Sequence, residues 1–396
     1  MRPPLTSYQS RIESELARVR ESGHHRTLRV IDSPQGPIVK THDGDKINFC
    51  SNDYLGLANH PRLRSAAIDA MDRYGLGSGA SQLVSGRSGA HVSLEEKLCE
   101  FTGRDRAILF STGYQANLSI ATVLSLGRNG EIVEDRLNHA SLIDGAKLSG
   151  SRLRRYRHKD VSSLEEMLSQ SKHKQMLVLT DTVFSMDGDI APLKEIAAIS
   201  ARHAALFCVD DAHALGVLGE GGRGALEEFK LSQTDVPVMV GTFGKALGCF
   251  GAFAAGTDPI IEFLVQKARP FIYTTALPAT ICAAVEAALG LLREEAWRRE
   301  QLFDRINYLR TCARDVCLPL GDSRTPIQPL IVGSAANACA LSEGLYSDGI
   351  FVAAIRPPTV PLGTSRLRIT LSSSHSREHI DRLIAALLRQ RKFWQR

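Results

Sequence analysis

The sequence predicts an α/β protein in which a large domain on a mainly parallel sheet is followed by a smaller α+β domain. Three observations point there. Between residues 107 and 240, short apolar runs alternate with helical patterns, the rhythm of βα units that bury a sheet between two helical layers. Each apolar run ends in polar residues, and in such sheets ligands bind beyond the carboxyl ends of the strands. After about residue 290 this alternation gives way to a long charged helix and isolated strands. The 396 residues exceed the roughly 250 to 300 that one core usually supports, so we divide the chain into an N-terminal arm (1–45), a large domain (46–290) and a small domain (291–396).

Taken in order, residues 8–22 place Ile12, Leu16 and Val19 at spacings of four and three among charged neighbours, which predicts an amphipathic helix in the arm. Residues 46–50 read as a short strand running into Ser51-Asn-Asp-Tyr-Leu-Gly-Leu57, with Asn52 placed to cap or to bind. Residues 75–81 and 85–89 are too glycine-rich for helix or strand and read as ordered loop close to a ligand. A strand at 107–110, a turn at 111–114 and a helix at 115–126 put backbone N–H groups at a helix start, a natural phosphate site. Further strands are expected at 131–134, 176–180, 206–210 and 236–240, with helices such as 193–203 between them. In the last third, a long helix over 289–309, strands at 327–332 and 366–371, and a closing helix at 379–391 are expected. Ile355-Arg-Pro-Pro-Thr-Val-Pro361 is proline-fixed and reads as a rigid loop holding Arg356 and Thr359. On the strand after it Arg368 alternates with Leu367 and Ile369, and arginine suits bidentate carboxylate binding.

Composition narrows the classes. A hydrophobic share of 43% and a charged share of 23% are ordinary for a globular protein, and a net charge of +5 with dispersed basic residues gives no nucleic-acid footprint. No run approaches the ~18 apolar residues of a membrane span, and no signal-peptide pattern opens the chain. The eight cysteines form no C-x-x-C pair and sit in apolar surroundings, so a reducing cytoplasm is expected.

Four strand ends carry chemistry: Asp135-Arg-Leu-Asn-His139-Ala-Ser141, Phe184-Ser185-Met-Asp-Gly188, Asp210-Asp-Ala-His213 and Thr242-Phe-Gly-Lys245. Each alone has a plain explanation as cap, turn or solvated lysine, whereas all four together suggest one shared site. His139 and His213 lack the spacing of a metal site, and neither G-x-S-x-G nor a P-loop occurs, so no metal is expected. A lysine among glycines can form a Schiff base, and with a carboxylate partner it meets the needs of pyridoxal phosphate, whose ring withdraws electrons while its nitrogen stays protonated.

The stretches at 51–57, 138–141, 183–188, 209–213 and 242–245, with the proline loop at 354–361, resemble the α-oxoamine synthases nearly end to end. That resemblance implies the pyridoxal-phosphate-dependent transferase fold of type I, with a sheet of the seven-stranded type. It implies Lys245 as the covalent anchor, Asp210 as partner of the ring nitrogen, His139 stacked on the ring, and His213 and Ser185 near the phenolic oxygen, with Lys245, His139, Asp210 and His213 catalytic. Gly113, Tyr114 and Thr242 match positions at the cofactor and its phosphate. Thr275 matches a residue lent by a second subunit, which implies a homodimer. Arg26, Asn52, His139, Thr359 and Arg368 match substrate-side positions. The proline loop is most similar to the member that condenses L-alanine, with loss of carbon dioxide, with a pimeloyl thioester on coenzyme A or acyl carrier protein. Siblings using glycine or serine share the lysine and the Asp-x-x-His pattern but resemble this loop less.

Overall fold

The computed structural model describes residues 7–23 and 25–395. The chain forms two compact units: one of Asn52–Phe303 with Ser372–Ser374, the other of Met1–Ser51, Asp304–Leu371 and His375–Arg396. The sequence boundaries stood at 45/46 and 290/291; the unit boundaries stand at 51/52 and 303/304, and the chain returns once more at 372–374.

The first unit is built on a seven-stranded sheet. From edge to edge the strands are Arg106–Phe110, Ala252–Gly256, Val238–Thr242, Leu206–Asp210, Gln175–Asp181, Gly130–Asp135 and Arg152–Tyr156. All are parallel except Ala252–Gly256, which runs against both neighbours. Successive side chains point to opposite faces, and both sets are buried: Ile132, Leu177, Cys208 and Val240 join one helix-covered core, while Val133, Val178, Val209 and Met239 are also at most 2% exposed. Strands buried on both faces carry continuous apolar runs, which is why they were readable.

Two strands of this sheet escaped the reading. Arg152–Tyr156 is an edge strand whose arginines reach solvent or Glu131 and Glu134, so its composition looks like a surface charge run. Ala252–Gly256 is almost all alanine and glycine, and in sequence such residues say little about strand or loop. The strand expected at 236–240 starts two residues later, because Pro237 brings no N–H to a central ladder. The long helix expected over 289–309 is two helices, Ala279–Glu294 and Trp297–Asp315, separated at Glu295 and Ala296.

In the second unit, Ser365–Thr370 lies between antiparallel partners Ile327–Gly333 and Ala353–Ile355, with helices Ala335–Ser347 and Arg377–Arg389. The arm helix Ser7–Glu21 has no buried residue, and Ile12 and Leu16 are exposed. Arg356, in the proline loop, donates through Nη1 and Nη2 to the carbonyls of Gly23 and His25, both at 2.7 Å.

Candidate active site

A cavity of about 170 Å³ opens at the carboxyl ends of the parallel strands, lined by Gly113, Tyr114, Asn117, His139, Ser141, Asp181, Ser185, Asp210, Ala212, His213, Thr242 and Lys245. Eight residues named from the sequence therefore line one space, and they arrive on five segments: the helix start at 113–114, the helix cap at 139, the turn at 185 and the strand ends at 210–213 and 242–245.

Lys245 follows the 238–242 strand in a loop pinned by its own backbone. The amide of Phe243 donates to the carbonyl of Gly251 (2.9 Å), that of Cys249 to Phe243 (2.7 Å) and that of Gly248 to Lys245 (2.9 Å). Phe243 is fully buried and stacks on Phe253 with centroids 5.6 Å apart, which anchors the loop in the core. Gly248 has φ +64°, and a Cβ there would come 2.4 Å from the amide nitrogen of Ala58, so no larger residue fits.

Asp210 ends its strand with a buried carboxylate whose two oxygens are separately engaged. Oδ1 accepts from the amide of Ala212 at 2.9 Å and Oδ2 from Nδ2 of Asn117 at 2.6 Å. Asn117 lies four residues into the helix Gly113–Leu124, on the face that follows Gly113, and its Nδ2 also reaches Ser141 Oγ at 2.9 Å. His139 caps the helix Ala140–Leu148: its Nδ1 lies 2.7 Å from Ser141 Oγ, and its amide donates to Asp181 Oδ2 at 2.6 Å. The His139 side chain keeps accessible surface, yet the protein packed around the ring lowers its pKa below the ordinary value. The nearby Lys245 pushes the same way and Asp210 opposes. Asp181 sits opposite Asp210 in the sheet register; burial, and then the Asp210 charge, hold its pKa well above the usual carboxylate range.

On the other side His213 Nδ1 lies 2.6 Å from the hydroxyl of fully buried Tyr54, which donates onward to Asn52 Oδ1 at 3.3 Å. Asn52, named from the sequence on substrate grounds, thus joins a relay ending at His213. Tyr54 is itself held by Ser373, whose amide donates to its carbonyl at 2.8 Å.

Ser185 rides on a hairpin over 182–191, closed by Phe184 N to Asp189 O (3.0 Å) and Ala191 N to Thr182 O (3.0 Å). His158 fastens this hairpin to the sheet. Its Nδ1 is 2.9 Å from Asp135 Oδ1, its Nε2 2.9 Å from Asp189 Oδ2, and Phe184 meets its ring edge-on at 4.4 Å. Burial alone would depress this imidazole, but the two carboxylates outweigh it and push its pKa up to about 9.

At the helix start, Thr112 accepts the amide of Gln115 through Oγ1. A Cβ added at Gly113 would meet nothing within 4 Å, and Gly113 and Tyr114, which open the helix, both line the cavity. Tyr114 turns its hydroxyl to Asp144 Oδ2 at 2.6 Å. Thr275 is exposed and does not line the cavity. Arg26, Thr359 and Arg368 belong to the other compact unit: Arg26 and Thr359 are exposed, whereas Arg368 is buried and donates to Thr370 Oγ1 at 3.0 Å.

The sequence reading missed Asn117, Ser141, Asp181 and Tyr54 as site residues. Ser141 and Tyr54 stood inside the quoted motifs, and Asp181 directly follows the strand expected at 176–180, so a stricter reading of strand ends would have found it. Asn117 carried no signal beyond its spacing of four from Gly113. Chemically the cavity unites an amine, a buried carboxylate, two imidazoles and a row of helix-terminal N–H groups, while no cluster of metal-ligating side chains occurs among the described residues.

Comparison with known proteins places the chain in a family. Residues 44–387 match the family described as aminotransferase class I and II. The 8-amino-7-oxononanoate synthase of Methylococcus capsulatus is 54% identical over 374 residues, spanning 94% of this chain and 96% of that protein. Among solved structures, a serine palmitoyltransferase from S. paucimobilis with a bound PLP–myriocin aldimine superposes with a TM-score of 0.91 at 29% identity, covering 98% of this chain and 99% of the other. An 8-amino-7-oxononanoate synthase from Francisella tularensis superposes at 0.77 with 32% identity, covering 88% and 98%. The chain belongs to the class I and II aminotransferase family and, within it, to the 8-amino-7-oxononanoate synthases.

Proposed function

We propose that the protein uses pyridoxal 5'-phosphate to condense L-alanine with a pimeloyl thioester, on coenzyme A or acyl carrier protein. The products are 8-amino-7-oxononanoate, carbon dioxide and the free carrier, a step of biotin biosynthesis. The observation that carries this reading is the meeting of Lys245, Asp210, His139 and His213 in one cavity beside an open helix start.

The residues fit the cofactor. Lys245 supplies the amine that would anchor it, Asp210 a buried carboxylate for its ring nitrogen, and the turn at Gly113 and Tyr114 with Thr242 a cradle for its phosphate. His139 offers a ring face, and His213 and Ser185 supply polar atoms for the phenolic oxygen. When bound, pyridoxal phosphate supplies an electron sink for negative charge at the amino acid's α-carbon. Lys245 Nζ is the base that takes the proton from that carbon and later returns one. Tyr54 orients the imidazole of His213, and Asn117 orients the Asp210 carboxylate. His139 presents a neutral imidazole to the incoming carboxylate or acyl carbonyl, since its lowered pKa disfavours the cation. Asn52, Arg26, Thr359 and Arg368 are the substrate-side residues, and Thr275 serves the phosphate of a partner subunit's site in a homodimer.

We place the enzyme in the cytoplasm, without nucleic-acid or membrane partners; among the described residues no helix is long and apolar enough to cross a membrane. The test is a mass-resolved product assay with pimeloyl-coenzyme A and pimeloyl-carrier protein, each offered L-alanine, glycine and serine. The aminoketone from L-alanine is expected. Preference for glycine or serine would move the protein to a sibling activity.

A further inference from the structure

Among the described residues, the His139 ring is bonded through one nitrogen only. Its Nδ1 faces Ser141 twice, at 2.7 Å from Oγ and 3.3 Å from the backbone nitrogen. Ser141 in turn receives Asn117 Nδ2 at 2.9 Å, and the other N–H of that same amide is committed to Asp210 Oδ2 at 2.6 Å. Asn117 and Ser141 are fully or almost fully buried, so water cannot substitute for these bonds.

Counting donors along this chain settles where the protons go. An asparagine amide has two N–H groups, and the Asp210 carboxylate can only accept, so the nitrogen side of Asn117 must face it. Its second N–H then points at Ser141 Oγ, which accepts. The Ser141 hydroxyl keeps one proton to give, and the acceptor within reach is His139 Nδ1. The backbone N–H of Ser141 is aimed at the same atom. The opposite arrangement, with hydrogen on Nδ1, sets that hydrogen against the Ser141 amide and leaves the buried hydroxyl proton without an acceptor, a penalty of about 1–3 kcal/mol for a buried donor.

We propose that Asn117 and Ser141 are positioning residues that lock His139 in the tautomer with its proton on Nε2, so that the imidazole enters the site as a hydrogen-bond donor and not as a base. This rests on the synthase reading for its use: a donor beside Lys245 suits the substrate's carboxylate or the acyl carbonyl, both of which gain negative charge as the reaction proceeds. It also divides labour, since proton removal falls to Lys245 alone. The same wire runs from His139 to Asp210 through two side chains, so the group that holds the ring nitrogen also dictates, through Asn117, which way the donor points.

Nitrogen-15 correlation spectra of the holoenzyme labelled at its histidine rings test this directly, with the His139 signal assigned by its disappearance in H139Q. The wild type is expected to show Nδ1 unprotonated and Nε2 carrying the proton at neutral pH. S141A, which removes the hydroxyl, and N117A, which removes the donor behind it, are expected to shift proton density towards Nδ1 and to lower kcat roughly fivefold, whereas S141T retains the wild-type pattern. Circular dichroism confirms that each variant is folded. A wild-type His139 protonated on Nδ1, or S141A and N117A spectra identical to wild type, would overturn the assignment. The expected tautomer in a protein that makes no aminoketone from any amino acid supports the assignment and counts against the synthase reading alone.

Discussion

At the residue scale, the chemistry is concentrated where a polar side chain is the first residue that a buried strand no longer covers. Asp210 shows the consequence. Its two oxygens serve different donors, so the isosteric D210N can keep the bond from the Ala212 amide but turns an N–H against Asn117. D210N is expected to lower kcat by a hundredfold or more, on the order of the loss when a preorganised charge partner is removed, with a smaller change in Tm than D210A. Steady-state kinetics and thermal unfolding of the two variants check this. Lys245→Ala is expected to abolish the visible absorbance of the purified protein, and a K245A preparation as yellow as wild type would refute the anchoring role. The lysine, aspartate and histidines of the cavity wall were singled out because they gather at four strand ends, although each alone has a plain explanation. Asn117 was not, since a polar residue inside a helix looks the same whether it faces solvent or a buried carboxylate.

At the element scale, the His158 clamp makes the Ser185 hairpin responsive to pH. The folded-state pKa, pushed up to about 9, lies above the ordinary value of about 6.5, so the protonated clamp stabilises fully below pH 6.5. That contribution fades as pH rises through 9. H158Q is expected to unfold roughly 5 °C below wild type at pH 6.5, with the gap narrowing by pH 9.5; thermal scans across this range check it. The lysine loop has no such latitude. At Gly248 an alanine would meet the backbone of Leu57 and Ala58, so G248A is expected to destabilise by more than about 2 kcal/mol and to lose the cofactor, measurable by denaturant unfolding and absorbance. Elements were legible in proportion to their burial on both faces. The edge strand Arg152–Tyr156 and the alanine-rich Ala252–Gly256 were not, because one is coloured by solvent and the other has little side chain to carry a pattern.

At the scale of the whole molecule, the proposed homodimer predicts a sedimenting species of twice the 43.2 kDa chain mass, and a monomer retaining full activity would remove the role assigned to Thr275. A division of the chain was drawn in the sequence from the change of texture near residue 290. The non-contiguity was not, since no local pattern announces that a chain will return to an earlier partner. The short return of Ser372–Ser374 bears on how the protein is born. The Ser373 amide holds the Tyr54 carbonyl and Ser372 Oγ holds that of Asp53 at 2.8 Å, so the support for His213 is bonded across more than three hundred residues. During synthesis the sheet and its lysine loop can form while the last stretch is still in the ribosome, but the Tyr54 relay waits for the chain's final tenth, and a product cut short before residue 372 leaves the translation machinery with a folded sheet and an unfinished site.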